Sequence, residues 1–327
     1  MRSSLVGSPS AAGLPANAIA AIATAAHRIF VVFIESSSKG GDGTIFLAMK
    51  RLRRVLVVLG ILTLVAYVAA AGWLVTNEST LLFAGGRPLG NLRPATPFEI
   101  VAMPDASGPR RVLWLIRAAT DADRRPWIIF LHGNDANVAS RLNILHYERL
   151  RALGANVAAP EYRGFGGVDG VPSEPGLDAD ARAGYDYLRG TLQVAPRRIV
   201  IYGWSLGSAV AVDLASNVDE GAVILEGAPA SIAAIGQQRY PYFPIRLLIR
   251  NPFDSILKIE RIRAPMLFLH SPEDAIIPIG EGRRLFEAAT APKQWVEVTG
   301  GHVYAVERDP RFFGAIQTFL RTQRLLP

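Results

Sequence analysis

Ile199-Val200-Ile201-Tyr202-Gly203-Trp204-Ser205-Leu206-Gly207-Ser208-Ala209-Val210-Ala211 joins two structural patterns at one serine. Its first four residues are apolar or β-prone, the composition of a buried strand. The residues after Ser205 are mostly small and alanine-rich and read as a helix. Between the two lies Gly203-x-Ser205-x-Gly207. A chain that passes from strand to helix this sharply pushes the turn residue into strained dihedrals. A Cβ at either glycine would collide with the neighbouring strand or helix. The hydroxyl of Ser205 is then expected above the sheet edge, at the positive end of a new helix. Ser205 is the candidate nucleophile.

Further strands are expected on both sides of this stretch. Val112–Ile116, Trp127–Leu131, Asn156–Ala159, Ala222–Leu225, Met266–Leu269 and Trp295–Val298 read as strands, and Leu177–Leu188 has the apolar spacing of a helix. Near-continuous apolar strands alternating with helices predict an α/β domain with a mostly parallel central sheet covered on both faces. The rhythm fails between Ala228 and Ile262, where Arg239-Tyr240-Pro241-Tyr242-Phe243-Pro244 and the following Ile245–Arg250 suggest a small helical cap (residues 228–262) beside the site. No internal repeat is evident.

A serine hydroxyl attacks poorly unless a base takes its proton, and that base is best held by a carboxylate. In an open α/β sheet such groups belong on loops after the carboxyl ends of strands. The loop His270-Ser271-Pro272-Glu273-Asp274 supplies Asp274, with Glu273 as the rival acid; Glu273 sits closer to the strand, and its longer side chain needs a different register. The turn Thr299-Gly300-Gly301-His302 supplies His302 as base. His270 precedes the acid, the wrong place for the base. The order Ser205, Asp274, His302 is nucleophile, acid, base, as in the α/β-hydrolase arrangement. Oxyanion stabilisation needs two backbone donors. The amide of Leu206 at the helix start is one, and the amide of Asn134 in the loop Leu131-His132-Gly133-Asn134-Asp135 is the other. His132 reads as a structural support of that loop.

His132-Gly133-Asn134, Tyr162-Arg163-Gly164-Phe165-Gly166 with Pro172-Ser173-Glu174, Gly203-Trp204-Ser205-Leu206-Gly207, Tyr240-Pro241, Phe253-Asp254-Ser255 and Gly301-His302 together resemble the Bem46-type α/β hydrolases. These are α/β-hydrolase-domain proteins with an N-terminal membrane anchor. The similarity runs from about residue 78 to the C-terminus. It implies the α/β-hydrolase fold, Ser205 as nucleophile, Asp274 as acid, His302 as base, and Asn134 and Leu206 at the oxyanion hole. Relatives include lipid hydrolases and protein depalmitoylases. Glu161 stands where relatives commonly have Asp, Val168 where they commonly have Ser, Val303 where Asn is usual, and His270-Ser271 where His-Gly is frequent.

The 327 residues contain no cysteine, which excludes disulfides, thiolate metal sites and cysteine nucleophiles. The net charge is +7, but residues 1–54 carry seven cations against two acids, a net +5, which leaves +2 for the rest of the chain. The basic excess is therefore no nucleic-acid stripe. Val55–Val75 is uncharged and long enough to cross a bilayer, with Trp73 near its far end and Lys50-Arg51-Leu52-Arg53-Arg54 before it. The expected organisation is residues 1–48 disordered or upstream of a true start at Met49, 49–77 a basic flank and transmembrane helix, and 78–327 the hydrolase domain. The cationic flank predicts the N-terminus inside and the domain extracytoplasmic. A cleaved signal peptide, with Ala69-Ala70-Ala71 as its cleavage site, and a buried core helix are the competing readings; the length of the run and its lack of a polar face favour the anchor.

The expected function is hydrolysis of a carboxylic ester or thioester of a lipid or other acyl substrate, needing no cofactor and no metal. A serine peptidase, a catalytically silent binding module and cofactor-free haloperoxidase-like chemistry are the alternatives.

Overall fold

The computed structural model describes residues 42–83, 90, 92–103 and 111–327. The expectation for residues 1–41 lies outside the described residues. The chain divides into two compact units, Met1–Gly72 and Trp73–Pro327.

Helix α1 (Asp42–Thr76) begins seven residues before Met49, so Asp42–Ala48, expected as part of an extension, is helical. Nothing in Thr44-Ile45-Phe46-Leu47-Ala48 interrupts a helix, and the Lys50 ammonium lies 4.4 Å from the Phe46 ring centre one turn away. Phe46–Thr76 is long and apolar enough to cross a membrane, and its 18-residue apolar stretch has a mean hydropathy of 2.5 with none of that stretch buried in protein. Its 31 residues span about 46 Å, more than the hydrocarbon core requires. Thr63 donates its hydroxyl to Leu59 O at 2.9 Å, which removes the need for an outside partner. A short helix, α2 (Glu78–Leu82), follows.

The Trp73–Pro327 unit is built on an eight-stranded sheet in the order β1-β2-β4-β3-β5-β6-β7-β8. The strands are β1 (Phe98–Met103), β2 (Arg111–Ile116), β3 (Trp127–Leu131), β4 (Asn156–Pro160), β5 (Ile199–Trp204), β6 (Ala222–Glu226), β7 (Met266–His270) and β8 (Lys293–Glu297). β1 and β2 run antiparallel to their neighbours and the other six strands are parallel. The parallel strands β3 to β7 are buried throughout because helices cover both faces. α4 (Glu174–Asp186), α5 (Leu206–Ala215) and α8 (Ile279–Ala288) pack with Ile129, Leu131, Ile201 and Phe268. α3 (Arg141–Ala152), α9 (Gly301–Arg308) and α10 (Phe312–Thr322) pack with Ile128, Phe130, Val200 and Leu267.

Two strand assignments differ from expectation. β1 is an edge strand with an exposed Glu99 and Ile100, and its mixed face hides it from a pattern search. β8 starts two residues before Trp295 because its pairing with β7 matches Met266 to Lys293, and an edge position tolerates Lys293 and Gln294 in water. α4 begins earlier than expected: Ser173 caps it by accepting from Gly176 N at 3.2 Å, with Pro175 in the first turn. Residues 228–262 contain α6 (Ile232–Arg239), the four-residue α7 (Ile245–Leu248) and two 3-10 turns.

Candidate active site

β5 and α5 meet at Ser205, whose backbone sits at φ 57°, ψ −122°. Gly203 and Gly207 permit the turn. A Cβ on Gly203 would stand 2.3 Å from Gly207 O, and one on Gly207 would stand 2.0 Å from Leu131 O. The turn is held by its neighbours: Ser205 N donates to Glu226 O at 2.8 Å, and Ser208 Oγ donates to Gly203 O and Glu226 O at 2.7 and 2.9 Å.

The structure brings Ser205, His302 and Asp274 together from three segments that follow the different strands β5, β8 and β7. Ser205 Oγ is 2.7 Å from His302 Nε2, and His302 Nδ1 is 2.6 Å from Asp274 Oδ2. Asp274 as a carboxylate can only accept, so Nδ1 carries the proton toward it. Nε2 is then left as the acceptor for the serine hydroxyl. The other Asp274 oxygen accepts from Ile276 N and Ile277 N at 2.9 and 2.8 Å. Glu273, the rival acid, is exposed and turns its carboxylate to Gly300 N at 3.3 Å. His302 stands in the first turn of α9 rather than on a loose glycine turn, after Gly300 at φ 108°. Asp309 anchors that approach by accepting from Thr299 N at 2.9 Å, and its hydrogen bond from Arg311 holds its own pKa down at about 2.

Leu206 is the first residue of α5, and Asn134 lies on the loop after β3. Both line the cavity onto which Ser205 opens. That loop approaches closely, since a Cβ on Gly133 would sit 3.1 Å from Ser205 Cβ. His132 is fully buried, with Nε2 2.9 Å from Glu161 Oε1 and Nδ1 2.9 Å from Gly133 O. Glu161 also accepts from Val138 N at 3.0 Å, so the pair braces the loop from below.

Two supporting residues escaped the sequence reading. Glu226 ends β6, and besides its backbone bond to Ser205 its carboxylate accepts from Tyr202 Oη at 2.8 Å and His146 Nε2 at 3.1 Å. A lone acid closing an apolar strand was its only signal. His270 is buried, donates Nε2–H to Ile277 O at 2.9 Å and lies 3.5 Å from Asp274 Oδ2. Burial lowers its pKa, which keeps it neutral beside the acid. Its spacing of four from Asp274 was the signal.

The cavity has a volume of about 360 Å³ and lies wholly within the Trp73–Pro327 unit. Leu74, Val75, Leu81 and Leu82 form one side, and Ile232, Ile235, Ile245, Leu248 and Ile249 line it from the 228–262 segment. Among the described residues no cluster of three or more His, Cys, Asp or Glu side chains is arranged to hold a metal.

Residues 128–295, about half of the chain, match the model of the Alpha/beta hydrolase family. The chain belongs to the alpha/beta hydrolase family. Within it, the chain is 37% identical over 209 residues to the uncharacterized protein Rv2307c of Mycobacterium tuberculosis, a match covering 63% of this chain and 74% of that one. It is 30% identical over 246 residues to the alpha/beta hydrolase domain-containing protein WAV2 of Arabidopsis thaliana, covering 68% and 79%. It also resembles the human alpha/beta hydrolase domain-containing protein 17B, at 29% identity, covering 60% and 66%. The Bem46-type resemblance seen in the motifs is borne out by these relatives. Among solved structures, the Pyrococcus furiosus esterase Pf2001 superposes with a TM-score of 0.61 at 18% identity, covering 73% of this chain and 96% of that one. Est1E from Butyrivibrio proteoclasticus with bound ferulic acid gives 0.59 at 17%, covering 68% and 99%. Both likenesses are of fold.

Proposed function

We propose that this alpha/beta hydrolase is a membrane-anchored serine hydrolase that cleaves a carboxylic ester or thioester of an acyl-chain substrate. The observation that carries the reading is the unbroken chain Ser205–His302–Asp274 opening onto an apolar cavity. Ser205 Oγ attacks the acyl carbonyl carbon while its proton passes to His302 Nε2. The developing oxyanion is met by the N–H groups of Leu206 and Asn134. Collapse breaks the bond to the alcohol or thiol, which leaves with the proton from His302. Water then attacks the acyl-enzyme, gives its proton to His302 and releases the free acid; the proton returns to Ser205. Asp274 keeps the imidazole in the productive tautomer and stabilises its charge.

The length and apolarity of α1 support its reading as an anchor, and the cations before Val55 support an inside N-terminus with the domain extracytoplasmic. The 228–262 segment is read as the cap because it contributes one wall of the cavity. That wall favours an acyl chain over a peptide.

Labelling of the full chain with a fluorophosphonate probe, wild type against Ser205→Ala, tests the reading. Labelling of the wild type and its loss in the variant are expected. Turnover of p-nitrophenyl esters should fall about 10⁶-fold in Ser205→Ala. Folded wild-type protein that takes up no probe would make this chain a silent binding module instead.

A further inference from the structure

One buried carboxylate on the cavity wall has no part in the chemistry above. Glu78 begins α2 and is almost fully buried. It stands in the helical stripe Leu74, Val75, Glu78, Leu81, Leu82, whose spacing puts all five residues on the cavity side. A carboxylate in so apolar a wall is unfavourable unless its oxygens are bonded. Glu78 Oε1 accepts from Arg250 N, Asn251 N and Asn251 Nδ2, each at 2.9 Å, and Oε2 from Arg250 N at 3.1 Å. These donors directly follow Leu248 and Ile249, which line the cavity from the cap. The Arg250 guanidinium reaches the same helical wall, donating to Val75 O at 3.2 Å. At the other end of α2, Asn134 Nδ2 donates to Leu82 O at 2.5 Å. Asn251 in turn accepts from Glu174 N at 2.7 Å, which fastens the cap strand to α4. The α2 wall is thus tied at Leu82 to the oxyanion loop and at Glu78, about 6 Å further along the helix, to the cap.

We propose that Glu78 is a positioning residue: its bonds to Arg250 and Asn251 set the gap between the α2 wall and the cap, and through it the length of acyl chain that is accepted. The inference rests on the ester or thioester hydrolase reading. A short acyl group held near Asn134 and Leu206 occupies the end of the cavity that Asn134 secures. A long one must run on past Glu78, where the gap depends on this bond set.

The experiment uses the full chain in detergent micelles with p-nitrophenyl butyrate and p-nitrophenyl dodecanoate. In Glu78→Ala the acceptor of all four contacts from Arg250 and Asn251 is removed. The ratio of kcat/KM for dodecanoate over butyrate is expected to fall about tenfold, through KM. Glu78→Gln keeps an amide oxygen where Oε1 accepts its three 2.9 Å bonds, and the ratio is expected to recover in it. An equal loss on both esters or an unchanged ratio in Glu78→Ala, or no recovery in Glu78→Gln, overturns the proposal. Should Glu78→Ala not fold, Arg250→Ala, which removes the guanidinium's bond to Val75 O and its 4.0 Å ion pair with Glu78 Oε2, must move the ratio the same way or the proposal fails. Fluorophosphonate labelling and butyrate turnover of the wild type test the underlying reading separately. Their absence overturns both, whereas wild-type activity with an unmoved ratio overturns the role of Glu78 alone.

Discussion

Ser205 holds a backbone conformation that a side-chain-bearing residue enters only at a cost of about 1–3 kcal/mol. The surrounding bonds from Ser205 N and Ser208 Oγ to Glu226 O stabilise it, and the two glycines make it sterically feasible. Replacing Gly207 by Ala would drive a methyl group into the Leu131 carbonyl, a backbone atom that cannot swing aside. Gly207→Ala is expected to destabilise the fold by about 3 kcal/mol. Gly280→Ala, at a helical glycine with nothing within 4 Å of the added carbon, should be neutral or stabilising by up to about 1 kcal/mol. Urea denaturation of the two variants checks the contrast. At this scale the sequence was legible where steric demand is local. The glycines around Ser205 show what a turn needs without any knowledge of what packs above it. Glu226 and His270 were not legible, because what makes them matter is a partner 80 residues away in one case and a loop conformation in the other.

Among the elements, α4 joins the 228–262 segment to the rest of the domain through charge. Lys258 Nζ bridges Glu174 Oε1 at 3.2 Å and Asp213 Oδ1 at 2.7 Å, and Asp178 on α4 faces this group. Burial, then the nearby Asp213, pushes the Asp178 carboxyl up to about 8 against the pull of Lys258. One of its oxygens is buried without a hydrogen-bond partner. In the unfolded chain an aspartate loses its proton near about 4. Between about 4 and about 8 the folded state therefore holds a proton that the unfolded state does not, and stability falls as pH rises through that window. Asp178→Asn removes the ionisation, so its melting temperature should exceed the wild type by more at pH 8 than at pH 5. Scanning calorimetry across that range decides it; equal differences at both ends would refute the assignment. The strands show which elements a pattern can find. β3, β5, β6 and β7 are covered on both faces and read as unbroken apolar runs. β1 and β8 lie at the two edges, where one side meets water, and their composition did not declare them or their limits.

For the whole molecule, the consequential feature outside the sheet is the helix Phe46–Thr76, whose apolar 18-residue stretch has no residue buried in protein. Burying such a surface in lipid would release water from nearly every side chain along it, a far larger effect than a surface charge contact. The full chain is therefore expected to stay with membranes through high-salt and carbonate washes and to leave only in detergent. Release by salt alone would refute the anchor. Sequence by itself determined the parallel α/β core, the turn at Ser205, the order in which the hydroxyl, carboxylate and imidazole occur, and the apolar helix. Each of these depends on residues adjacent along the chain, through hydrophobic period, steric demand or length. Tertiary structure alone decided that Glu273 turns away to Gly300 N, that His302 sits in the first turn of a helix, and that Glu78 meets Arg250 and Asn251. Those outcomes turn on strand register and on hydrogen bonds between residues up to 173 positions apart, and no local pattern encodes them.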